Sequence, residues 1–295
     1  MITVSPETHV CSSPRSTPAP TRSASAVTPH QSFSAKAATV FALAAVVIKE
    51  LYRRKDFYVL FFMTAAITLL MASVNFFNDD KIVRFVKDIA LLLVWICTLV
   101  IAIGTTARQI PAERESRTIF PLLAKPVSRA QVVLGKFAGC WLASGICLLV
   151  FYLFLFVLSG SKENQWPVAS YFQTMWLQWM MLSIVVGLVL LGSLVFSAPS
   201  ANATICFIFI VGIVLIGRHL NTVALRATEP LQTLIYSIYF LIPHLEWYDV
   251  RDLLVYQQPV VPWIDCALAT LYAGTYAALL LVASWVLFRR KTLTI

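Results

Sequence analysis

The sequence predicts an all-α, polytopic membrane protein with six transmembrane helices, an N-terminal interfacial helix, and a re-entrant or interfacial hairpin before the last span. Three observations carry this prediction. Hydrophobic residues occupy 59% of the 295 positions and charged residues only 13%, with a mean hydropathy of +0.78. The apolar residues gather into runs of about 17 to 23, the length a helix needs to cross a hydrocarbon core. Those runs continue nearly to the last residues, leaving no stretch for a second, soluble domain. A soluble fold could not cover so much apolar surface with so few charges, whereas lipid requires no such cover.

Residues 1–35 are rich in Ser, Thr, Pro and Ala and poor in large apolar side chains. Such a segment buries too little surface to offset its ordering entropy and reads as a disordered tail. It has no apolar core of a secretory signal; its single acid, Glu7, and its Ser/Arg content also fit an organelle transit peptide. Residues 36–56 come next. Ala37 to Ile48 is apolar but too short to span, and the cationic KELYRRKD run follows directly. An apolar stretch ending in a cationic cluster suits a helix lying in the membrane interface; an extension of the first span into water is the alternative. Residues 57–295 form the transmembrane domain, with spans expected at Phe57–Phe77, Ile89–Ala107, Phe137–Leu158, Met175–Ser197, Ala201–Gly217 and Cys266–Phe288. Trp166, Trp176, Trp179, Trp247 and Trp263 fall near expected ends, where indole rings favour the headgroup layer. Between the fifth and sixth spans, Leu231–Leu241 is apolar at half the spanning length and is closed by Pro243, which suggests the hairpin. His244 to Leu254 then reads as an amphipathic surface segment.

Basic residues set the orientation. With both termini in the cytoplasm, the cytoplasmic side holds sixteen of the 23 Lys and Arg residues and the outer side seven, as the positive-inside rule requires. The net charge of +9 thus reads as anchoring against anionic membrane lipids, with no nucleic-acid partner implied.

Several activities lack the residues they need. The expected spans contain no Asp, Glu, Lys or Arg in their interiors, whereas ion-coupled transporters usually carry an intramembrane ionisable group. No nucleophile, carboxylate pair or metal-ligand set converges, so no catalytic, cofactor or metal residues are assigned. His244 has no second ligand at metal spacing. The six cysteines include no CxxC pair and read as small, soft packing residues. No GxxxxGK[ST] loop exists: Gly135-Lys136 is followed by Phe137, and Ala130 stands where the first glycine should. If ATP drives this protein, another chain binds it.

The informative soluble loop is residues 108–136, RQIPAERESRTIFPLLAKPVSRAQVVLGK. Pro111 suits the first turn of a short helix, with Glu113 and Glu115 near its positive end and Glu113 facing Arg117 at i,i+4. Lys125-Pro126 breaks that helix. Ser128 and Gln131 have capping-box spacing and start a new helix. Gly135, Gly139 and Ala143 recur every four residues, letting another helix approach closely. A charged, solvated connector is the plainer reading of the same loop.

Glu113-Arg114-Glu115-Ser116-Arg117-Thr118, then Leu122-Leu123-Ala124-Lys125-Pro126-Val127-Ser128-Arg129, then Gly135-Lys136-Phe137-Ala138-Gly139 resemble the ABC-2 class of ABC transporter permeases. So do the KELYRRKD run and a last helix ending in FRRK, and the resemblance takes in about residues 40–295. It implies the permease subunit of an ATP-driven transporter in the inner (plasma) membrane. A second permease subunit, identical or homologous, would pair with it, and cytoplasmic ABC ATPase subunits holding ATP and Mg would dock below. Glu113, Glu115, Arg117, Lys125, Pro126 and Arg129 would form the ATPase-coupling loop, and residues 36–56 a connecting helix. Uniformly apolar spans favour an amphiphilic or lipid-linked substrate. A non-transport membrane anchor and a secondary transporter are the rival readings.

Overall fold

The computed structural model describes residues 33–53, 55–73, 80–112, 128–163, 166–224, 232–233, 237 and 242–290. Among them are eight helices, one 3-10 turn and no strand: α1 (Phe33–Arg53), α2 (Lys55–Ser73), α3 (Asp80–Arg108), α4 (Arg129–Glu163), α5 (Val168–Val195), α6 (Pro199–Ala224), the 3-10 turn Leu245–Tyr248, α7 (Arg251–Val255) and α8 (Trp263–Arg290). Only helices satisfy every backbone N–H and C=O within one segment, which is what uninterrupted apolar runs require in lipid.

Helix limits follow local chemistry. Ser128 and Gln131 close the expected capping box: the Ser128 N–H donates to Gln131 Oε1 at 2.8 Å and the Gln131 N–H to Ser128 Oγ at 3.3 Å. α5 starts after Pro167 and ends where Phe196 turns extended, its N–H returning to the Gly192 carbonyl. Pro199 then opens α6 at a position where a missing N–H costs nothing. α8 carries Asp265 in its first turn and Arg289 and Arg290 in its last, matching its dipole.

Among the described residues, five helical segments are long and apolar enough to cross a membrane: Arg84–Arg108, Arg129–Ser161, Val168–Val195, Pro199–Gly217 and Trp263–Arg290. They correspond to the last five of the six expected spans. The first, expected over Phe57–Phe77, falls on α2, whose described apolar stretch is Phe57–Leu70; residues 74–77 lie outside the described residues. Most of the Leu231–Leu241 hairpin also lies outside them, as does the tail through residue 32.

α5 is the axis of the bundle. Of its apolar stretch 78% is buried, against 17% for α8, whose outward side presents Ile264, Leu268, Leu271 and Leu279. In lipid such a face needs no cover. α5 packs against α3, α4, α6 and α8, while α1 lies along α4 and α2 against α3. Small or polar residues set the close approaches. Gly192 faces Asn202 and Cys206 of α6, and the Asn202 side chain donates to the Val189 carbonyl at 3.3 Å. Thr64 of α2 meets Cys97 of α3 at 3.1 Å.

The described segment 242–262 folds over one end of this bundle. Within it, Leu245, Tyr248, Leu253 and Leu254 are buried and Trp247 is exposed, as an amphipathic His244–Leu254 requires. Gln173 of α5 fixes its far end, donating to the Val261 carbonyl at 2.8 Å and accepting from the Val261 N–H at 3.0 Å. Trp166 and Trp263 are exposed near helix starts, as interfacial anchors should be. Trp179 is not at an end; it lies well inside α5, paired with Trp141 of α4.

Candidate functional site

The loop of residues 108–136 is the site the sequence singles out. Glu113, Glu115, Arg117, Lys125 and Pro126 lie outside the described residues. What is described is the base of the loop, where α3 ends and α4 begins, together with Arg129, Gly135, Gly139 and Ala143.

Arg129 reaches the C-terminal end of α8. One guanidinium nitrogen donates to the Phe288 carbonyl at 2.9 Å and to the Arg289 carbonyl at 3.3 Å. The guanidinium carbon also sits 5.6 Å from the Phe288 ring centre. These carbonyls belong to the last turn of α8, where intrahelical donors run out and a cation is favoured.

Gly135 and Gly139 do admit a helix, and that helix is α1 of the same chain. A Cβ on Gly135 would strike Leu43, and one on Gly139 would strike Val47 and Ala44. Leu43 lies opposite Gly135 and Val47 opposite Gly139, so α1 advances along α4 in step with it. Ala143, one turn further, is completely buried. The small-residue ridge is therefore filled from within the chain.

Lys136 is the residue that sequence reasoning missed. It is only 3% exposed, and its ammonium donates to the backbone carbonyl of Gln109 at 2.7 Å. Gln109 is also buried, and its side-chain amide donates to the Glu50 carboxylate of α1 at 3.4 Å. Three segments thus meet in one polar cluster: the end of α3, the start of α4 and α1. The available signal was Lys136 itself, a lone cation at the start of an apolar run and seven residues from Arg129, which puts both on one face of α4.

Around these cations, Ile110, Val133, Leu190, Leu194 and Phe288 form a small apolar cluster separate from the main core. It joins both ends of the loop to the ends of α5 and α8. Deeper in the bundle, three neutral side chains form a hydrogen-bonded network. The Tyr152 hydroxyl donates to Gln178 Oε1 at 2.7 Å, and Gln178 Nε2 donates to Thr98 Oγ1 at 2.9 Å. Among the described residues no three His, Cys, Asp or Glu side chains are grouped so as to hold a metal ion. The geometry at the loop base is mechanical: it holds helix ends in fixed relation.

The sequence profile described as "ABC-2 family transporter protein" matches residues 57–293. No curated protein matches the chain. The profile covers the spans, the loop and the cation-capped helix ends alike, and the protein therefore belongs to the ABC-2 family of transporter proteins, as a multi-pass membrane component of an ABC transporter.

Proposed function

We propose that this chain is the permease subunit of an ATP-driven transporter whose ATPase is a separate polypeptide. The observation that carries the reading is the family match over residues 57–293 in a sequence with no phosphate-binding loop. ATP and Mg²⁺ are then held by the partner ATPase. The 108–136 loop supplies its docking helix, with Glu113, Glu115 and Arg117 orienting that helix, Lys125-Pro126 breaking it and Arg129 belonging to the same coupling loop. Two permeases and two ATPases form the working unit, in the plasma membrane with both termini and the loop in the cytoplasm. ATP-dependent closure of the ATPases pushes the loops and tilts the spans as rigid bodies. The apolar bundle favours an amphiphilic or lipid-linked substrate.

One feature of the structure supports this reading. α4, at 35 residues, is about 52 Å long by helix rise, well beyond a hydrocarbon core of ~30 Å. Its first turns can therefore stand in the headgroup layer and cytoplasm, with α1 beside them as the connecting helix.

The test is the double charge reversal Glu113→Lys/Glu115→Lys. Loss of a buried polar contact with the ATPase should cost ~2–5 kcal/mol of binding, and folding should survive because the loop is outside the membrane. The expected result is poor ATPase co-purification with unchanged thermal stability. Normal ATPase recovery and normal stimulation of hydrolysis would return the loop to a solvated connector.

A further inference from the structure

The base of the loop is tied to two helices that do not belong to it, and the ties share a design. Arg129 and Lys136 stand seven residues apart on α4, hence on one face two turns apart. Each places its cation on carbonyls at the C-terminal end of another helix. Arg129 takes Phe288 and Arg289 of α8, and Lys136 takes Gln109, just past the last residue of α3. Both contacts satisfy acceptors that a helix leaves open and place positive charge at the negative end of a dipole. Gln109 then passes the connection on to Glu50 of α1, and the glycines on the next turns hold α1 against α4.

Two packing observations show that these ties define a unit. The apolar residues between them, Ile110, Val133, Leu190, Leu194 and Phe288, form their own cluster apart from the main core. Close packing at Gly135 and Gly139 leaves no room for α1 to slide without displacing Leu43 or Val47.

We propose that Lys136 and Arg129 are positioning residues that lock the loop base, α1 and the end of α8 into one lever, so that a push on the loop moves α1 and α8 together with α3 and α4. This rests on the reading of the loop as the ATPase docking element. α1, which contributes no residue to the loop, is then an output of nucleotide binding. A purely structural role for the two cations would stabilise the bundle without affecting how motion is shared.

The experiment uses the permease with its co-purifying ATPase in lipid nanodiscs. Spin labels are placed at Val46→Cys on α1 and Ile208→Cys on α6, both exposed, in a background without the native cysteines. Distances are measured by pulsed electron resonance with and without a non-hydrolysable ATP analogue and Mg²⁺. In the parent, the analogue should shift the Val46–Ile208 distance. Lys136→Met, which keeps the aliphatic stem and removes the charge, should lose most of that shift while the ATPase stays bound. Arg129→Gln should leave the α1 shift in place and abolish the matching shift measured between labels at Trp285→Cys and Ile208→Cys, and Arg129→Lys should restore it. Should Lys136→Met fail to fold, Gln109→Leu, which breaks the link to Glu50, is read for the α1 shift in its place, and the Arg129 series decides the α8 tie. Full distance changes in the folded variants would overturn the lever, as would an analogue that moves neither α1 nor α8 in the parent. Failure of any ATPase to co-purify with the parent would remove the underlying reading and the lever with it, a result distinct from a bound ATPase with unaltered shifts.

Discussion

Trp141 of α4 and Trp179 of α5 hold each other reciprocally: each indole N–H donates to the other residue's backbone carbonyl, at 3.1 Å in both directions. The rings stack with centres 4.6 Å apart and planes 14° from parallel. Gly145, one turn beyond Trp141, leaves the space that the Trp179 ring occupies. In lipid, where burying apolar area between helices gains little, such directed contacts fix helix pairs.

Gly145→Ala should therefore destabilise the protein. The new methyl group would meet the indole of Trp179, a rigid ring held at both its face and its N–H, and overpacking of this kind costs ~1–3 kcal/mol. Gly104→Ala is the control, because a Cβ there meets nothing within 4 Å and helix propensity favours Ala by about 1 kcal/mol. Thermal unfolding in nanodiscs should show a lower midpoint for the first and an equal or higher one for the second. Equal midpoints for the parent and Gly145→Ala would contradict the reciprocal pair as a structural tie.

The extent to which the sequence was legible depends on how local each interaction is. The capping box at Ser128 and Gln131 was readable because both partners lie within one turn. Five spans were readable because hydropathy is a property of each segment alone. Lys136 was not, since its role arises only when the end of α3 meets the second turn of α4. Spacing at Gly135 and Gly139 announced a close approach but could not name α1 as the helix that makes it. Trp179 was placed with the interfacial tryptophans because the expected span began at Met175, whereas α5 begins at Val168. An indole can anchor at the interface or donate within the bundle, and composition does not separate the two.

The Thr98–Gln178–Tyr152 network links α3, α4 and α5 through buried side chains. Tyr152→Phe and Gln178→Leu should each destabilise, and a double-mutant cycle should give a coupling of about 0.5–2 kcal/mol, the range for hydrogen bonds between membrane helices. Additive effects in nanodisc unfolding would show that the pair makes no energetic link.

The segment 242–262 should weaken in acid. His244 is buried, its ring 4.8 Å from that of Trp247 and its backbone N–H donating to the Tyr272 hydroxyl at 3.1 Å. Burial holds its pKa below the ordinary value of 6.5, with the nearby Glu246 carboxylate opposing that shift. The unfolded chain therefore binds the proton first as pH falls. The stability gained from the neutral ring is present above about pH 6.5 and is lost below it. Comparing unfolding midpoints at pH 7.5 and 5.5, the parent should lose more on acidification than His244→Phe. Equal losses would assign the acid sensitivity to other groups.

The most direct test of the central claim is native mass spectrometry of the complex released gently from its own membrane, in several mild detergents and in nanodiscs. An ATP-driven permease should appear with a nucleotide-binding chain at one copy per permease, two of each in the assembly, and added ATP analogue should appear as bound mass on that chain. A permease recovered alone under all of these conditions, with no nucleotide-binding partner, would contradict the account.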